Sequence, residues 1–459
     1  MLITREVTGT KINLTVTNAE GQPLPEARVW VPLIGNMPVM GFQANGVVSK
    51  SEMSLTGSGH EDIQFSGTLG DLANAVEGTY EMGSTSEGGT WTGQKTSEPC
   101  KKCDLPPEPF TAYACTDETG AATLQLPEDV VGSTVVVKVD SGLCSSETSV
   151  NITDEPQNIV CGTDKKIAVV TGNYDRNEYL LAKFGLGQPL SEDEVYKLYD
   201  GVVTGNYDRN EYLLAKFGLG QPLSEDEVYK LYDGVNHPPY DGSLDDSYPN
   251  FPELFASLLY YDVVFINCGN LYETNFREDN SGSWQAALRT YVSKGGRLFV
   301  SDLSYDFLEQ ALPEYIDFAG SDGTPENVPE AWNAAQRGDG PTSGAAESRD
   351  ATVTDPKLVK WLQKVNCVDS AGYTMPSCIN GENTITITGF YKNWAQMDGL
   401  SQGGKVWLVD NADKRPLVVT VNVDSGRILF SSYHTESDVI GRVGFTPQER
   451  VLQYLMFVL

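Results

Sequence analysis

Residues 284–312 decide the fold of this chain: WQAALRTYVSKGG, then RLFVSD, then LSYDFLEQAL. Apolar residues recur at helical spacing from Trp284 to Val292, which predicts a helix, and Gly295-Gly296 predicts its end. RLFVSD predicts a strand, and the following letters predict a second helix after a sharp turn. In an open α/β sheet such a turn usually holds a nucleophile or a ligand. Asp302 stands there, where a cysteine or serine nucleophile is expected.

Apolar runs on either side of this stretch predict further strands. KKIAVVTG (165–172) opens a strand–helix unit, and YYDVVFINCGN (260–270) predicts a central strand buried on both faces. KVWLVD and PLVVTVNVDSGRILFSS predict three late strands. TPQERVLQYLMFVL predicts a closing helix with a capping box made by Thr446 and Glu449. The order of these elements predicts an α/β fold with a mainly parallel sheet over 163–459.

An identical repeat follows the first of these strands. Residues 169–201 return letter for letter at 202–234, and two copies are too few for a solenoid. Only the first copy has KKIA before its strand, so we expect it to keep the strand–helix position. We expect the second copy to be an extra excursion. A second expected insertion, at about 320–403, is irregular apart from a short helix in PKLVKWLQKV.

The first part of the chain, 1–162, predicts an all-β sandwich. Short alternating runs with turn residues between them are typical of that class. GQPLPEARVWV and TDETGAATLQLP resemble the carboxypeptidase regulatory-like, transthyretin-like sandwich family. The matching positions are Gly21, Pro23, Leu24, Ala27, Val29, Thr116, Asp117 and Gly120. The resemblance implies an exported scaffold without catalysis.

A long insertion at about 33–109 separates the two matching segments. It is rich in Gly, Ser, Thr and Glu, and compact domains rarely carry so long a loop without a purpose. A decorated loop and a contact surface for a partner or a neighbouring subunit are both open interpretations.

Charge excludes several classes of partner. The chain has 32 Lys and Arg against 63 Asp and Glu, a net charge of −31. Nucleic acids and anionic membranes are therefore not expected as partners, because both bind through basic side chains. An acidic surface favours solubility, and acidic loops can also bind divalent cations. The sequence contains neither a run of about 18 apolar residues nor a GxGxxG motif, so no membrane span or dinucleotide is predicted.

Eight cysteines favour disulfides and an exported protein, secreted or at the cell surface. The disulfide candidates are Cys100, Cys103, Cys115, Cys144, Cys161, Cys367 and Cys378. CKKC lacks a second CxxC or a His pair, so no zinc site is predicted from it. The odd number of cysteines in each domain means that one bridge crosses the boundary or that each domain keeps a free thiol. Asn13 and Asn151 match the glycosylation sequon. Residues 2–11 lack an apolar signal-peptide core, so the chain is either cytosolic or a mature form.

The second domain resembles the class I glutamine amidotransferase-like family, a flavodoxin-like three-layer α/β fold, over 165–320 and 404–459. In that family's enzymes a cysteine nucleophile follows the central strand, and a late His-x-Glu motif completes the triad. The late motif matches at His434 and Glu436, and a small Gly motif matches in part at Gly269. The nucleophile position does not match, because Asp302 occupies it.

Several interpretations of this region stay open. Asp302 cannot replace a thiolate that attacks a carboxamide, and Ser301 and Ser304 lie off the turn. Cys268 needs a histidine within reach to act as a nucleophile, and is more simply a small buried apolar residue. Asp302, His434 and Glu436 together predict a hydrogen-bonded structural remnant. A hydrolytic site is the alternative, and one histidine with two acids is a poor metal site.

The leading hypothesis is an exported, non-enzymatic structural or adhesive protein, a pseudoenzyme in a cell-surface or extracellular assembly such as a filament. Its expected partners are other proteins or copies of itself, with no cofactor and no metal. A hydrolase that uses Asp302, His434 and Glu436 is one alternative. A small-ligand-binding module near Gly269, Asn270 and Asp302, at the carboxyl ends of the strands, is the other.

Overall fold

A computed structural model gives the fold. The chain divides into two compact units, Met1–Thr163 with Leu455–Leu459 and Asp164–Tyr454. The structure describes residues 2–4, 9–17, 23–25, 27–32, 41–48, 53–57, 63–69, 75–82, 88–94, 110–117, 119–127, 133–152, 157–160, 165–175, 177, 180–181, 184, 229–232, 234, 250–320, 328–331, 333–342, 346–369, 372–434 and 444–458. Within these ranges, no helix is both long enough and apolar enough to cross a membrane.

The first unit is built of strands. They are β1 (Leu2–Thr4), β2 (Gly9–Thr17), β3 (Arg28–Pro32), β4 (Gly41–Val48), β5 (Met53–Gly57), β6 (Ile63–Leu69), β7 (Ala75–Met82), β8 (Gly88–Gln94), β9 (Phe110–Cys115), β10 (Ala121–Pro127), β11 (Thr134–Ser141), β12 (Cys144–Asn151) and β13 (Gln157–Val160). One sheet has the order β1-β8-β7-β6-β5-β4-β9-β3-β11-β12, and a second has the order β10-β2-β13.

The insertion at 33–109 is not a long loop. It contains the antiparallel strands β4 to β8, and β1 pairs with both β4 and β8. The expectation of a decorated loop is therefore wrong for these segments. Their Thr, Val, Tyr and Trp residues favour strands, whereas the Gly and Ser between them suggested a loop.

Local contacts explain the Thr-Asp-x-x-Gly motif. The Thr116 hydroxyl donates to Leu24 O at 2.6 Å and accepts from Ala27 N at 2.8 Å, so it joins two chain segments. Gly120 has φ +71°, and a Cβ there would lie 2.3 Å from Val16 O. Thr116 and Gly120 therefore have steric and hydrogen-bonding reasons to be present.

The second unit contains β14 (Ile167–Val170), β15 (Tyr229–Tyr232), β16 (Val263–Ile266), β17 (Arg297–Ser301), β18 (Ile316–Phe318), β19 (Glu347–Val353), β20 (Cys367–Val368), β21 (Thr374–Met375), β22 (Thr384–Phe390), β23 (Met397–Leu400), β24 (Gly404–Asp410), β25 (Pro416–Val423) and β26 (Gly426–Ser431). Its main sheet has the order β15-β14-β16-β17-β26-β25-β24-β19-β22. The first five strands, from β15 to β26, run parallel to one another, and every pairing from β26 to β22 is antiparallel. An α/β fold is thus present, but its sheet is mixed and not mainly parallel as expected.

The helices of this unit are Phe251–Phe255, Glu273–Arg277, Ser283–Ser293, Asp306–Ala311 and Pro356–Leu362, with 3₁₀ turns at Leu258–Tyr260 and Asp302–Tyr305, and the helix Pro447–Val458 begins in this unit. The predicted capping box is confirmed. Thr446 N donates to Glu449 Oε2 at 2.6 Å, and Glu449 N donates to Thr446 Oγ1 at 3.4 Å. Phe251 lies at the centre of an aromatic cluster and packs against Trp284 and Phe307. This cluster fixes the helix that precedes β17.

The segment at 320–403 is more regular than expected. β19 and β22 lie in it and extend the main sheet to its antiparallel edge. In β19 only two of seven residues are buried, Ala351 and Val353. A strand with so few buried positions lacks the apolar alternation by which strands are recognised. The expectation of an irregular insertion is wrong for these two strands.

Both copies of the repeat contribute to the sheet. Val169 and Val170 of the first copy lie in β14, and β15 comes from the second copy. The two strands pair in parallel, with Val169 opposite Leu231. The first copy therefore keeps the strand position as expected, but the second is not only an excursion. Residues 185–228 lie outside the described part of the chain.

Deletion of residues 176–208 is expected to leave the second unit folded. It removes 33 of the 58 residues between β14 and β15, leaving a single repeat copy and a connection of 25 residues. A parallel crossover needs about a dozen residues or more. We expect the free energy of unfolding to change by less than about 1 kcal/mol, because loop-closure entropy varies slowly with length. Denaturant unfolding checks this, and loss of a cooperative transition contradicts it.

Candidate functional site

Three polar side chains meet at the carboxyl edge of the main sheet. Cys268, Asp302 and His434 closely follow β16, β17 and β26, which are parallel neighbours. His434 Nε2 lies 3.0 Å from Asp302 Oδ2 and 3.1 Å from Cys268 Sγ. Sγ and Oδ2 are 3.7 Å apart. The structure thus joins Asp302 and His434, which the sequence singled out, to Cys268, for which the sequence favoured a small buried apolar role.

The cluster is buried. The exposed fractions are 0% for Cys268, 3% for Asp302 and 6% for His434. Tyr174 stacks on the His434 ring with 6.1 Å between centroids, and Tyr391 lies at 6.0 Å. Tyr174 is 56% exposed, whereas the imidazole against which it stacks is buried.

The backbone at Asp302 explains the position of its carboxylate. Its φ is +41°, which lies in the left-handed region, and Asp tolerates this region better than most residues. Oδ1 accepts a hydrogen bond from Ala395 N at 2.6 Å, which leaves Oδ2 towards His434 and Cys268. The sharp turn after β17 was predicted, and its strain is about 1–3 kcal/mol.

Cys268 is held by the chain on both sides. Its N–H donates to Ser301 Oγ at 3.1 Å, and Ser304 Oγ donates to Asn267 O at 2.7 Å. A Cβ on Gly172 would lie 2.1 Å from Cys268 O, so the neighbouring loop approaches closely. Ser301 and Ser304 therefore position the backbone around Cys268, and neither has the setting of a nucleophile.

The arrangement of protons differs from that of a catalytic triad. In a triad the nucleophile and the acid contact opposite nitrogens of the histidine. Here Cys268 and Asp302 both face Nε2 of His434. The Cys268 thiol and the Asp302 carboxylate thus share one ring nitrogen, and Asp302 does not hold the opposite nitrogen as the acid of a triad does. Burial, and next the Asp302 charge, raise the pKa of the Cys268 thiol well above its usual value. In the absence of a metal ion, this shift favours the protonated thiol.

A second polar group lies beside this cluster and was missed from the sequence. Asn177 Nδ2 donates to Asn267 Oδ1 at 2.7 Å and to Asp175 Oδ2 at 3.3 Å. All three residues are buried. The letters GNYDRN after an apolar strand suggested only a turn into a helix. The recurrence of Asn and Asp directly after the strand was the available signal, since strand ends in a parallel sheet share one edge.

The other predicted site residues are not part of the cluster of Cys268, Asp302 and His434. Asn270 Oδ1 accepts a hydrogen bond from Tyr272 N at 2.8 Å within its own loop, next to Gly269, which has φ +84°.

Glu436, Cys100, Cys103 and Cys161 lie outside the described residues. Cys367 and Cys378 form a disulfide with a Cα–Cα distance of 5.3 Å, and Cys115 and Cys144 are also disulfide-bonded. Cys268 is the free cysteine of the described part of the chain. Asn13 and Asn151 are exposed on β2 and β12.

No protein-family model and no curated protein matches this chain. Among solved structures it is similar to the cytoplasmic protein STM3548 from Salmonella typhimurium, with 12% identity, a TM-score of 0.31, and coverage of 64% of this chain and 97% of that one. It is also similar to PurLQS from Thermotoga maritima, with 12% identity, a TM-score of 0.29, and coverage of 64% and 97%. A putative protease I from Bacteroides thetaiotaomicron has 12% identity, a TM-score of 0.19, and coverage of 40% and 84%. TM-scores this low do not establish a family.

Proposed function

We propose that this chain is an exported, non-enzymatic protein with a structural or adhesive role in a cell-surface or extracellular assembly. Its parts are a β-sandwich and a three-layer, amidotransferase-like domain whose former catalytic edge now supports the fold. One observation carries the proposal. The Asp302 carboxylate occupies the nucleophile position, accepts a hydrogen bond from Ala395 N and lies 3.0 Å from His434 Nε2.

Chemistry supports a non-catalytic role. Acyl transfer in the family needs a thiolate and a histidine that is free to accept its proton. Asp302 offers no attacking atom of that kind, and its Oδ2 lies at the same ring nitrogen, His434 Nε2, that faces the Cys268 thiol. The Cys268 thiol has a raised pKa, whereas reactive cysteines have lowered ones.

Disulfides support export. Cys367–Cys378 is closed, and Cys115 and Cys144 are bonded. Such bonds persist in oxidising compartments and are rare where thiols are kept reduced. The net charge of −31 suits a soluble surface outside the cell.

Alkylation of Cys268 tests the non-catalytic assignment. In the native protein iodoacetamide is expected to modify this thiol at least about 100-fold more slowly than in the denatured protein, because a buried, protonated thiol is a poor nucleophile. Peptide mass mapping under non-reducing conditions gives the rate at Cys268 itself. Rapid, stoichiometric alkylation of the native protein would instead indicate an activated nucleophile.

Electron microscopy of the purified full chain tests the assembly role. Ordered polymers or regular oligomers are the expected result, and a uniformly monomeric sample under oxidising conditions contradicts it. A matched sample treated with reductant shows whether the disulfides are needed for assembly.

A hydrolase is the second candidate, favoured by the 3.0 Å separation of His434 Nε2 and Asp302 Oδ2. That distance is within the reach required for acid–base catalysis. A panel of amide and glycan substrates discriminates the two functions. Hydrolysis by the wild type that is lost in His434→Ala, with the fold retained, would replace the structural proposal.

A further inference from the structure

The ligand types around His434 suit a transition-metal ion. A thiol sulfur, an imidazole nitrogen and a carboxylate oxygen lie within 4.8 Å of one another, all on buried residues. Zn²⁺ binds this mixture of Cys, His and Asp ligands, whereas Mg²⁺ and Ca²⁺ prefer oxygen. We propose that Cys268, Asp302 and His434 bind one Zn²⁺ ion per chain.

The three interatomic distances fit one ion. They are 3.0, 3.1 and 3.7 Å. A triangle with these sides has a centre about 1.9 Å from each corner, so an ion slightly off its plane lies about 2.1 Å from all three atoms. Zinc bonds to oxygen and nitrogen measure about 2.0–2.2 Å and those to sulfur about 2.3 Å. The side chains therefore need to move by only a few tenths of an ångström.

The surroundings hold each ligand in place. Asp302 binds Ala395 N through Oδ1 and so presents Oδ2 to the ion, and Cys268 is anchored through its own N–H by Ser301 Oγ. Partners of this kind orient ligands in established metal sites. The three ligands follow neighbouring parallel strands, and their positions are set by the sheet register.

Three protein ligands leave a fourth position for solvent or a small ligand. A bound ion would tie together three strand ends in a scaffold, and in a hydrolase it would activate water. The proposed zinc site is therefore independent of the proposed function, and each is tested by its own experiment.

Cobalt titration of the chelator-treated full chain tests this inference. One equivalent of Co²⁺ is expected to give a thiolate-to-cobalt charge-transfer band and to raise the unfolding temperature. The band requires a thiolate ligand, so the many surface carboxylates cannot produce it. Zn²⁺ is expected to remove the band by displacement, and excess Mg²⁺ is expected to leave it unchanged.

Variants complete the test. Cys268→Ser is expected to abolish the band, and Glu278→Gln, an acid whose side chain is 63% exposed, is expected to keep it. A band that persists in Cys268→Ser overturns the proposal. Native mass spectrometry of the wild type with Zn²⁺ does not depend on any variant. Absence of a one-zinc species at stoichiometric metal overturns the proposal as well.

Discussion

Replacing Asp302 with alanine is expected to lower the free energy of unfolding of the metal-free protein by about 3–5 kcal/mol. The carboxylate accepts from Ala395 N at 2.6 Å and lies 3.0 Å from His434 Nε2 in a buried setting. Alanine leaves these donors without an acceptor, and burying unsatisfied donors is costly. Alanine at φ +41° adds about 1–2 kcal/mol of backbone strain.

Asp302→Asn is the matched control for this experiment. Asparagine tolerates the left-handed conformation and keeps one oxygen that can accept from Ala395 N. We expect Asp302→Asn to lower the free energy of unfolding by about 1–3 kcal/mol, which is less than the loss expected for Asp302→Ala. Denaturant unfolding in the presence of a chelator measures both variants. A gain in stability for Asp302→Ala contradicts the supporting role, because replacing strained catalytic groups commonly stabilises an enzyme.

The grouping of Asp302 with His434 came from the resemblance to the amidotransferase-like family, and the order of the elements agrees with it. Each residue follows a strand predicted to lie in a parallel sheet, and the carboxyl ends of such strands share an edge. The role of Cys268 could not be anticipated. A cysteine after a buried strand has the same local pattern whether it fills the core or faces a histidine. Its contact with His434 joins residues 166 positions apart and depends on two strand pairings.

The repeat shows another limit of sequence analysis. Its two copies have identical letters, so local propensity cannot assign β14 to the first copy and β15 to the second. The flanking residues separate the two copies: KKIA leads into β14, whereas the second copy continues into the segment before Phe251. Sheet pairing between Val169 and Leu231 then selects the outcome.

Glu309→Gln is expected to stabilise the protein at pH 8 by about 3 kcal/mol and to have little effect at pH 4. Glu309 is 4% exposed in the helix Asp306–Ala311, and burial raises its pKa to about 7. Burial also raises the pKa of Asp306 in the same helix, to about 6. The pKa of Glu309 is raised because its carboxyl group is removed from water.

The direction of this pH effect follows from the two states. The unfolded chain releases the Glu309 proton near its ordinary pKa of about 4.3, whereas the folded chain keeps it until about pH 7. Between about pH 4.3 and about pH 7 the folded state binds more protons than the unfolded state, so the free energy of unfolding falls as pH rises. Above about pH 7 Glu309 is ionised in both states, and the full cost of burying its charge remains. Glutamine does not ionise, and its oxygen can still accept the Glu330 N–H that Glu309 accepts at 2.7 Å.

The free energy of unfolding is measured for wild type and Glu309→Gln at pH 4 and at pH 8. The difference between the two proteins is compared at the two pH values, so the contributions of other titrating groups cancel. Glu278→Gln is the control and is expected to change stability by no more than about 1 kcal/mol at either pH, since its side chain is 63% exposed and its ion pair with Arg277 is on the surface. Asp306→Asn is expected to give a gain of the same sign at pH 8. A Glu309→Gln variant that is no more stable than wild type at pH 8 would show that a cation or a bound donor stabilises the Glu309 carboxylate in the folded protein.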